Sequence, residues 1–343
     1  MNGSIIAILL ACLWLTGCND RQALKPAFDT YLSRVANVLG VDAPSLGEPP
    51  PLPTLPAQRR LQLPQPRVSA GLLDTLKLGE CRLLGLVSEH NSPIGKSQNA
   101  GAVLLYHLHF QQGLEDCLAQ SHDDELHAWL AALQQQKAPL LPGYHWNMMV
   151  AEPEIRAALT PRQRPVPPDH RGFQSTLHAF ALFADLQRQA AGHLSLKGID
   201  ATEFNSRLGG LYNNHYLGEL YYSLHSAAHY LQQSLDFLQR LTQFDCDPAG
   251  QADAERLRNA MEHYYIKDIQ GQLSELDRRF VQLAPLLAQS LSAPTERYSA
   301  MAEYRNWYAS GLESQIYVRY RRLTLEHARA WQDFLRRCNL SPG

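Results

Sequence analysis

Apolar residues run unbroken from Ile5 to Leu15, and after Ala70 they recur three or four positions apart across nearly all of the remaining chain. The second pattern is the signature of helices that bury one face. It predicts helices over 70–78, 80–90, 98–119, 123–136, 152–159, 173–191, 200–207, 211–243, 249–290 and 295–337. A shorter helix over 22–39 places Phe28, Leu32, Val35 and Leu39 on one face. No segment sustains the alternation of a half-buried strand. Residues 42–66 break the pattern with eight prolines. Such a stretch adopts extended polyproline II, either as a spacer or as a strap laid along the domain through Leu52, Leu55, Leu61 and Leu63. The expected fold is therefore an all-α multi-helix bundle preceded by a Pro-rich extended segment. It divides into 1–17, 18–69 and a single large helical domain over 70–343.

The last two helices carry the clearest stripes. Leu257, Met261, Tyr264, Ile269, Leu273, Leu276, Phe280, Leu283 and Leu287 form the first, and Pro285 is expected to kink or loosen its end. Asp247-Pro248 reads as its start signal. Met301, Tyr304, Tyr308, Leu312, Ile316, Tyr320, Leu323, His327, Trp331 and Phe334 form the second; aromatic residues at this spacing are usually core. A break near Ser292 joins the two as a long antiparallel hairpin. Cys246 and Cys338 each lie 46 residues from Ser292, so equal arms bring them together. A disulfide there closes a loop of about 93 residues. Cys81 and Cys117 then pair by elimination. A zinc site is the rival use of these four cysteines, but no C-x-x-C pair is present.

The eleven apolar residues at the N-terminus are too few to span a bilayer, which takes about 20, and match the core of a secretory signal peptide. They lead into Leu15-Thr16-Gly17-Cys18, a lipobox in which small residues admit the chain to a protease site and the Cys18 thiol takes the lipid. No Lys or Arg precedes the run. Two or more acyl chains anchor stably, so the membrane is an expected partner through the lipid. Asn19, in place of Asp, points to the periplasmic face of the outer membrane rather than the inner. An oxidising compartment agrees with two disulfides. The formal net charge of −2, from 31 basic and 33 acidic residues, argues against nucleic acid as a partner.

Candidate chemistry is sparse. Pro93-Ile94-Gly95-Lys96-Ser97 imitates the end of a P-loop, but His90 stands where its first glycine is required. The turn with Glu89, Asn91 and Lys96 is either a helix-capping device or a binding turn. On the 211–243 helix, His215, Glu219, Tyr222, Ser226 and His229 share one face, opposite a leucine-rich face that must be core. His225 and His229 have metal-ligand spacing, yet Ser226, Ala227 and Ala228 stand between them, where a zinc protease carries glutamate. No nucleophile-elbow or S-x-x-K pattern is recognisable, and no cofactor or metal is expected.

Glu80-Cys81-Arg82-Leu83-Leu84-Gly85-Leu86-Val87, Glu89-His90-Asn91-Ser92 with Gly95-Lys96, Cys117-Leu118, and Cys246 with Pro248 follow the lipobox and the proline-rich stretch. Together they resemble a gammaproteobacterial envelope lipoprotein family defined by a domain of unknown function. The resemblance spans most of the chain and implies location, not activity. The expectation is a non-enzymatic scaffold or binding module meeting another envelope protein or component. The alternative is a hydrolase-type envelope enzyme using the Glu89–Lys96 turn or the His215–His229 face.

Overall fold

The computed structural model describes residues 23–65, 78–79, 81, 83–197, 200–294 and 297–341. The expected signal segment 1–17, the lipidation site Cys18 and nearly all of the helix expected over 70–78 lie outside the described residues. The fold is all-helical, and among the described residues there is no strand. In chain order the helices are α1 (Leu24–Leu39), α2 (Gln58–Leu61), α3 (Leu83–Asn91), α4 (Ala100–Gln120), α5 (Asp124–Lys137), α6 (Leu141–Ala151), α7 (Pro153–Leu159), α8 (Phe173–Ala190), α9 (Ala201–Gly209), α10 (Tyr216–Leu238), α11 (Gln251–Ala260), α12 (Gly271–Ser290), α13 (Tyr298–Tyr304) and α14 (Gln315–Arg337). A π-helical stretch, Met261–Gln270, joins α11 to α12.

The chain divides into two compact units. The first gathers the described residues up to Pro51 with Ser223–Arg279 and the chain from Ile316; the second gathers Leu52–Tyr222 and Phe280–Gln315. In the first unit, α1 buries Phe28, Tyr31, Leu32 and Val35 completely. It ends where Gly40 turns left-handed (φ 66°) and its N–H bonds back to the Ala36 carbonyl, a glycine stop that spares other residues the Cβ clash. Contacts between the α11–α12 side and α14 run antiparallel within this unit. Tyr317 donates to Asp277 at 3.1 Å, Tyr320 donates to the Leu273 carbonyl at 2.5 Å, and Tyr265 stacks on His327. Cys246 and Cys338 are bonded with Cα atoms 5.1 Å apart.

In the second unit, α4, α6 and α8 enclose Leu104, Leu108, Trp146, Met148, Met149, Phe180 and Phe183. The Cys81–Cys117 disulfide, Cα atoms 5.3 Å apart, borders a satellite core of Leu83, Phe110, Leu114, Leu126 and Leu130.

Several expected boundaries move for local reasons. The 295–337 helix is interrupted between Ala309 and Gln315, where Gly311 has φ 63°. Asp247 does not cap the helix after it. Its Oδ1 accepts from the Gly250 N–H at 2.8 Å, closing a turn that delays α11 to Gln251. Pro285 sits inside α12 without ending it; the residue is exposed, so the hydrogen bond it removes faces solvent. The 211–243 helix shrinks to α10, because 211–215 form a turn and 239–243 a tighter 3₁₀ helix.

The proline-rich residues carry almost no regular structure of their own and are held through their backbone carbonyl and N–H groups. In the first unit the His225 ring meets the Pro50 carbonyl at 2.8 Å, and Gln233 accepts the Gly47 N–H at 2.9 Å. In the second, Tyr308 donates to Pro53, Arg156 to Pro56 and Trp146 to Leu61, at 2.8, 3.0 and 2.7 Å. Asn147 bonds both the N–H and the carbonyl of Leu63. Outside α2 the segment has no regular hydrogen-bonded backbone, so these side chains supply partners that it does not find within itself.

Candidate ligand-binding cleft

A connection rich in Pro and Arg, residues 160–172, runs from α7 to α8 in the second unit and closes over the start of α10. The Arg162 N–H donates to the Gly218 carbonyl at 3.1 Å. A Cβ at Gly218 would sit 2.2 Å from the Thr160 carbonyl oxygen, so only glycine allows the approach. Three residues here have positive φ: His170 at 50°, Gly172 at 91° and Asn213 at 52°. Such backbone is uncommon outside glycine and collects at ligand clamps and active sites.

Asn214 locks the junction. Its Nδ2 lies 3.0, 3.1 and 3.2 Å from the Gly172 carbonyl, Thr176 Oγ1 and the Gly210 carbonyl, and its Oδ1 accepts the Tyr216 N–H at 3.1 Å. The N-termini of α8 and α10, and the C-terminus of α9, are thereby fixed around a cleft of about 550 Å³. His215 and Glu219, one turn apart, and Arg164, Arg171, Ser175 and Asn213 are among its lining residues.

The charged groups are ordered. Arg162 Nη2 donates to His215 Nδ1 at 2.8 Å. A guanidinium has no acceptor, so Nδ1 carries the lone pair and the neutral ring keeps its proton on Nε2. Burial lowers the His215 pKa, Arg162 and Arg164 lower it further, and Glu219 opposes them. Glu219 is buried, and its Oε1 accepts from Arg164 Nε at 2.6 Å and Nη2 at 2.5 Å. His170 Nδ1 and the Tyr216 hydroxyl share a hydrogen bond of 2.9 Å. Asp169 takes the Arg171 backbone N–H at 3.2 Å. The cleft thus presents an imidazole N–H, hydroxyl and amide groups, the exposed Arg171, and one carboxylate already neutralised by Arg164. That set suits binding of a polar ligand with an acidic group.

Of the residues singled out in the sequence, His215 and Glu219 come together here. His229 does not: it lies in the first unit beside Gly47, and His225 of the same helix holds Pro50. Burial lowers both pKa values. Among the described residues no group of three or more His, Cys, Asp or Glu side chains is placed to hold a metal ion. Glu89, Asn91 and Lys96 are exposed and outside this cleft. Their turn folds back on the end of α3, with the Gly95 N–H bonded to Ser92 Oγ at 3.0 Å and its Cα too close to the Glu89 and His90 carbonyls for any Cβ. Sequence reasoning missed Arg162, Arg164, His170, Arg171, Asn213 and Asn214. The available signal was the long, irregular 160–172 connection itself, since loops of that length without secondary structure are usually functional.

No helix among the described residues is long and apolar enough to cross a membrane. Comparison with curated proteins finds no match, and neither does comparison with solved structures. A family model does match, over residues 28–342. By that match the chain belongs to the family described as protein of unknown function (DUF3080).

Proposed function

We propose that this protein is a lipid-anchored binding module of the bacterial envelope, non-enzymatic, held by Cys18 at the periplasmic face of the outer membrane. In this reading the cleft over 164–219 takes a polar envelope component that bears an acidic group. The observation that carries it is the arrangement of Arg162 on His215 and Arg164 on Glu219, set beside three residues with positive φ. That arrangement fixes donors in place before any ligand arrives, which lowers the ordering cost of binding.

Two experiments test the reading separately. Cys18→Ala should leave an uncleaved precursor; cleavage at the same place with unchanged membrane extraction overturns the anchor. Citrate and phosphate, added at constant ionic strength, should raise the Tm of the wild-type chain, because a ligand bound only by the folded state stabilises it. The Arg171→Ala/His215→Ala variant should lose that rise. An equal rise in both proteins, or none in either, removes the cleft from the proposal.

A further inference from the structure

A second cleft in the same unit, about 410 Å³, differs in chemistry. It lies where α2 and residues 62–65 meet the starts of α4 and α7 and the side of α6. Half of its twelve lining residues carry a primary amide: Gln58, Gln62, Gln65, Gln98, Asn99 and Asn147. No Lys, Arg, His or Asp lines it, and Glu152 is its one ionisable carboxyl group.

The amides fall into two sets. Gln98, Asn99 and Asn147 use their oxygens internally. Gln98 Oε1 meets His90 Nδ1 at 3.4 Å, Asn99 Oδ1 takes the Ala102 N–H at 2.9 Å as the cap of α4, and Asn147 Oδ1 takes the Leu63 N–H at 2.8 Å. These amides are held in one orientation, with N–H donors to spare. The side chains of Gln58, Gln62 and Gln65 make no hydrogen bond to another described residue, so each can turn either its oxygen or its NH₂ to a ligand. Glu152 is buried, and its Oε1 accepts the Gly101 N–H at 2.6 Å, which leaves Oε2 as a further acceptor. Val103, Tyr144, Ala151 and Pro153 add short apolar surfaces between the polar groups.

We propose that this amide-lined cleft is a carbohydrate-binding site. Hydroxyl groups both donate and accept, and a row of them needs partners of both kinds at close spacing; amides and a carboxylate supply both. The absence of cationic lining disfavours a phosphorylated or acidic ligand. Polar groups make up about half of the lining, which disfavours a lipid or an aromatic compound, whose sites are mostly hydrophobic. A peptide also presents amide partners, but its side chains require pockets that the short apolar surfaces do not form.

The test titrates chitotetraose and maltotetraose, neutral oligosaccharides with and without N-acetyl groups, into the full chain by calorimetry. The chain is kept in a detergent that has no sugar headgroup. At least one sugar should bind, and Gln58→Ala/Gln62→Ala should weaken it by about tenfold or more. Neither side chain bonds another described residue, so the variant should keep the wild-type Tm, which is measured alongside. Arg171→Ala, in the other cleft, should leave sugar binding unchanged. Binding of neither sugar, or binding that the double variant leaves intact, overturns the proposal. Binding of tetra-alanine that the double variant abolishes would also overturn it, reassigning the cleft to peptide.

Discussion

The indole N–H of Trp331 donates to the hydroxyl of Tyr31 across 2.6 Å, joining side chains 300 positions apart in the chain. The same hydroxyl lies 3.3 Å from His327 Nε2, which in turn is 3.1 Å from Ser234 Oγ. All four groups are inside the first unit. A buried donor left without its acceptor costs about 1–3 kcal/mol. Tyr31→Phe keeps the ring volume and removes only the oxygen, so it should lower unfolding stability by about that amount, measured by urea denaturation. A change near zero would mean that the network contributes nothing beyond packing.

His327 sets part of the acid limit. Burial depresses its pKa to about 3, and similarly depresses His107 to about 3 and His145 to about 4. In the unfolded chain each titrates near 6.5. Between these values the unfolded state binds more protons, so stability rises with pH. The contribution is complete above about pH 6.5 and is lost progressively towards pH 3–4. Each histidine adds a slope of about 1.4 kcal/mol per pH unit within that window. His327→Gln should flatten the dependence of unfolding free energy on pH from 4.5 to 6, even where its stability at pH 7 is lower. A parallel curve displaced downward would show that His327 is protonated in the fold.

The two disulfides close loops of different size. Their sequence separations are 92 for Cys246–Cys338 and 36 for Cys81–Cys117. In the chain-entropy model they contribute about 4.6 and about 3.8 kcal/mol. Cys246→Ala/Cys338→Ala should therefore destabilise slightly more than Cys81→Ala/Cys117→Ala, by about 1 kcal/mol, in thermal unfolding without reductant. A reversed order would place the difference in packing around the cysteines rather than in loop length.

These cysteines also show what the sequence makes legible. Stripes at helical spacing located most helices, because each buries one face and exposes the other. They failed at α6, where Leu141, Tyr144, His145, Trp146, Met148, Met149 and Val150 are all buried. A helix enclosed on nearly every side has no polar face to mark its period. The pairing of Cys246 with Cys338 followed from equal helical arms, although the second arm is broken at Gly311. In the candidate cleft, His215 and Glu219 were visible through their i,i+4 spacing. Their partners Arg162 and Arg164 were not, because they come from an irregular loop brought over α10 by tertiary structure. His229 shares the helical face of His215 in sequence, yet it belongs to the first unit, beside Gly47, and His215 to the second.

Gly172 is the most exacting position in that cleft. Its φ of 91° is strained for any other residue, and an added Cβ would lie 2.5 Å from Asn214 Oδ1. Gly172→Ala should displace Asn214, release the start of α10 and lower Tm by several degrees, as expected for a loss above 1 kcal/mol. It should also abolish any stabilisation by citrate or phosphate. A crystal structure of the variant with Asn214 in place would contradict this account.

The proline-rich segment offers the sharpest test of how it is held. Residues 58–61 form the short α2, with Arg59 and Arg60 exposed, and trypsin must pull an extended chain around them into its site. Just beyond, Leu63 is fixed by both hydrogen bonds from Asn147, at 2.8 and 2.9 Å, and the Leu61 carbonyl by Trp146. Asn147→Ala removes the first pair without touching the apolar core. Each bond contributes about 0.5–1.5 kcal/mol. The population of the locally opened segment should therefore rise about five- to 150-fold for a total of about 1–3 kcal/mol. When opening and closing are fast, proteolysis follows that population, so cleavage after Arg59 or Arg60 should accelerate by the same factor. Asn147→Asp keeps the acceptor for the Leu63 N–H and loses the donor, so it should cleave at an intermediate rate. Global stability changes less than the cleavage rate, because the segment opens locally while the rest stays folded. Equal cleavage in all three proteins, with Tm unchanged, would mean that the segment is held by its leucines and not by Asn147.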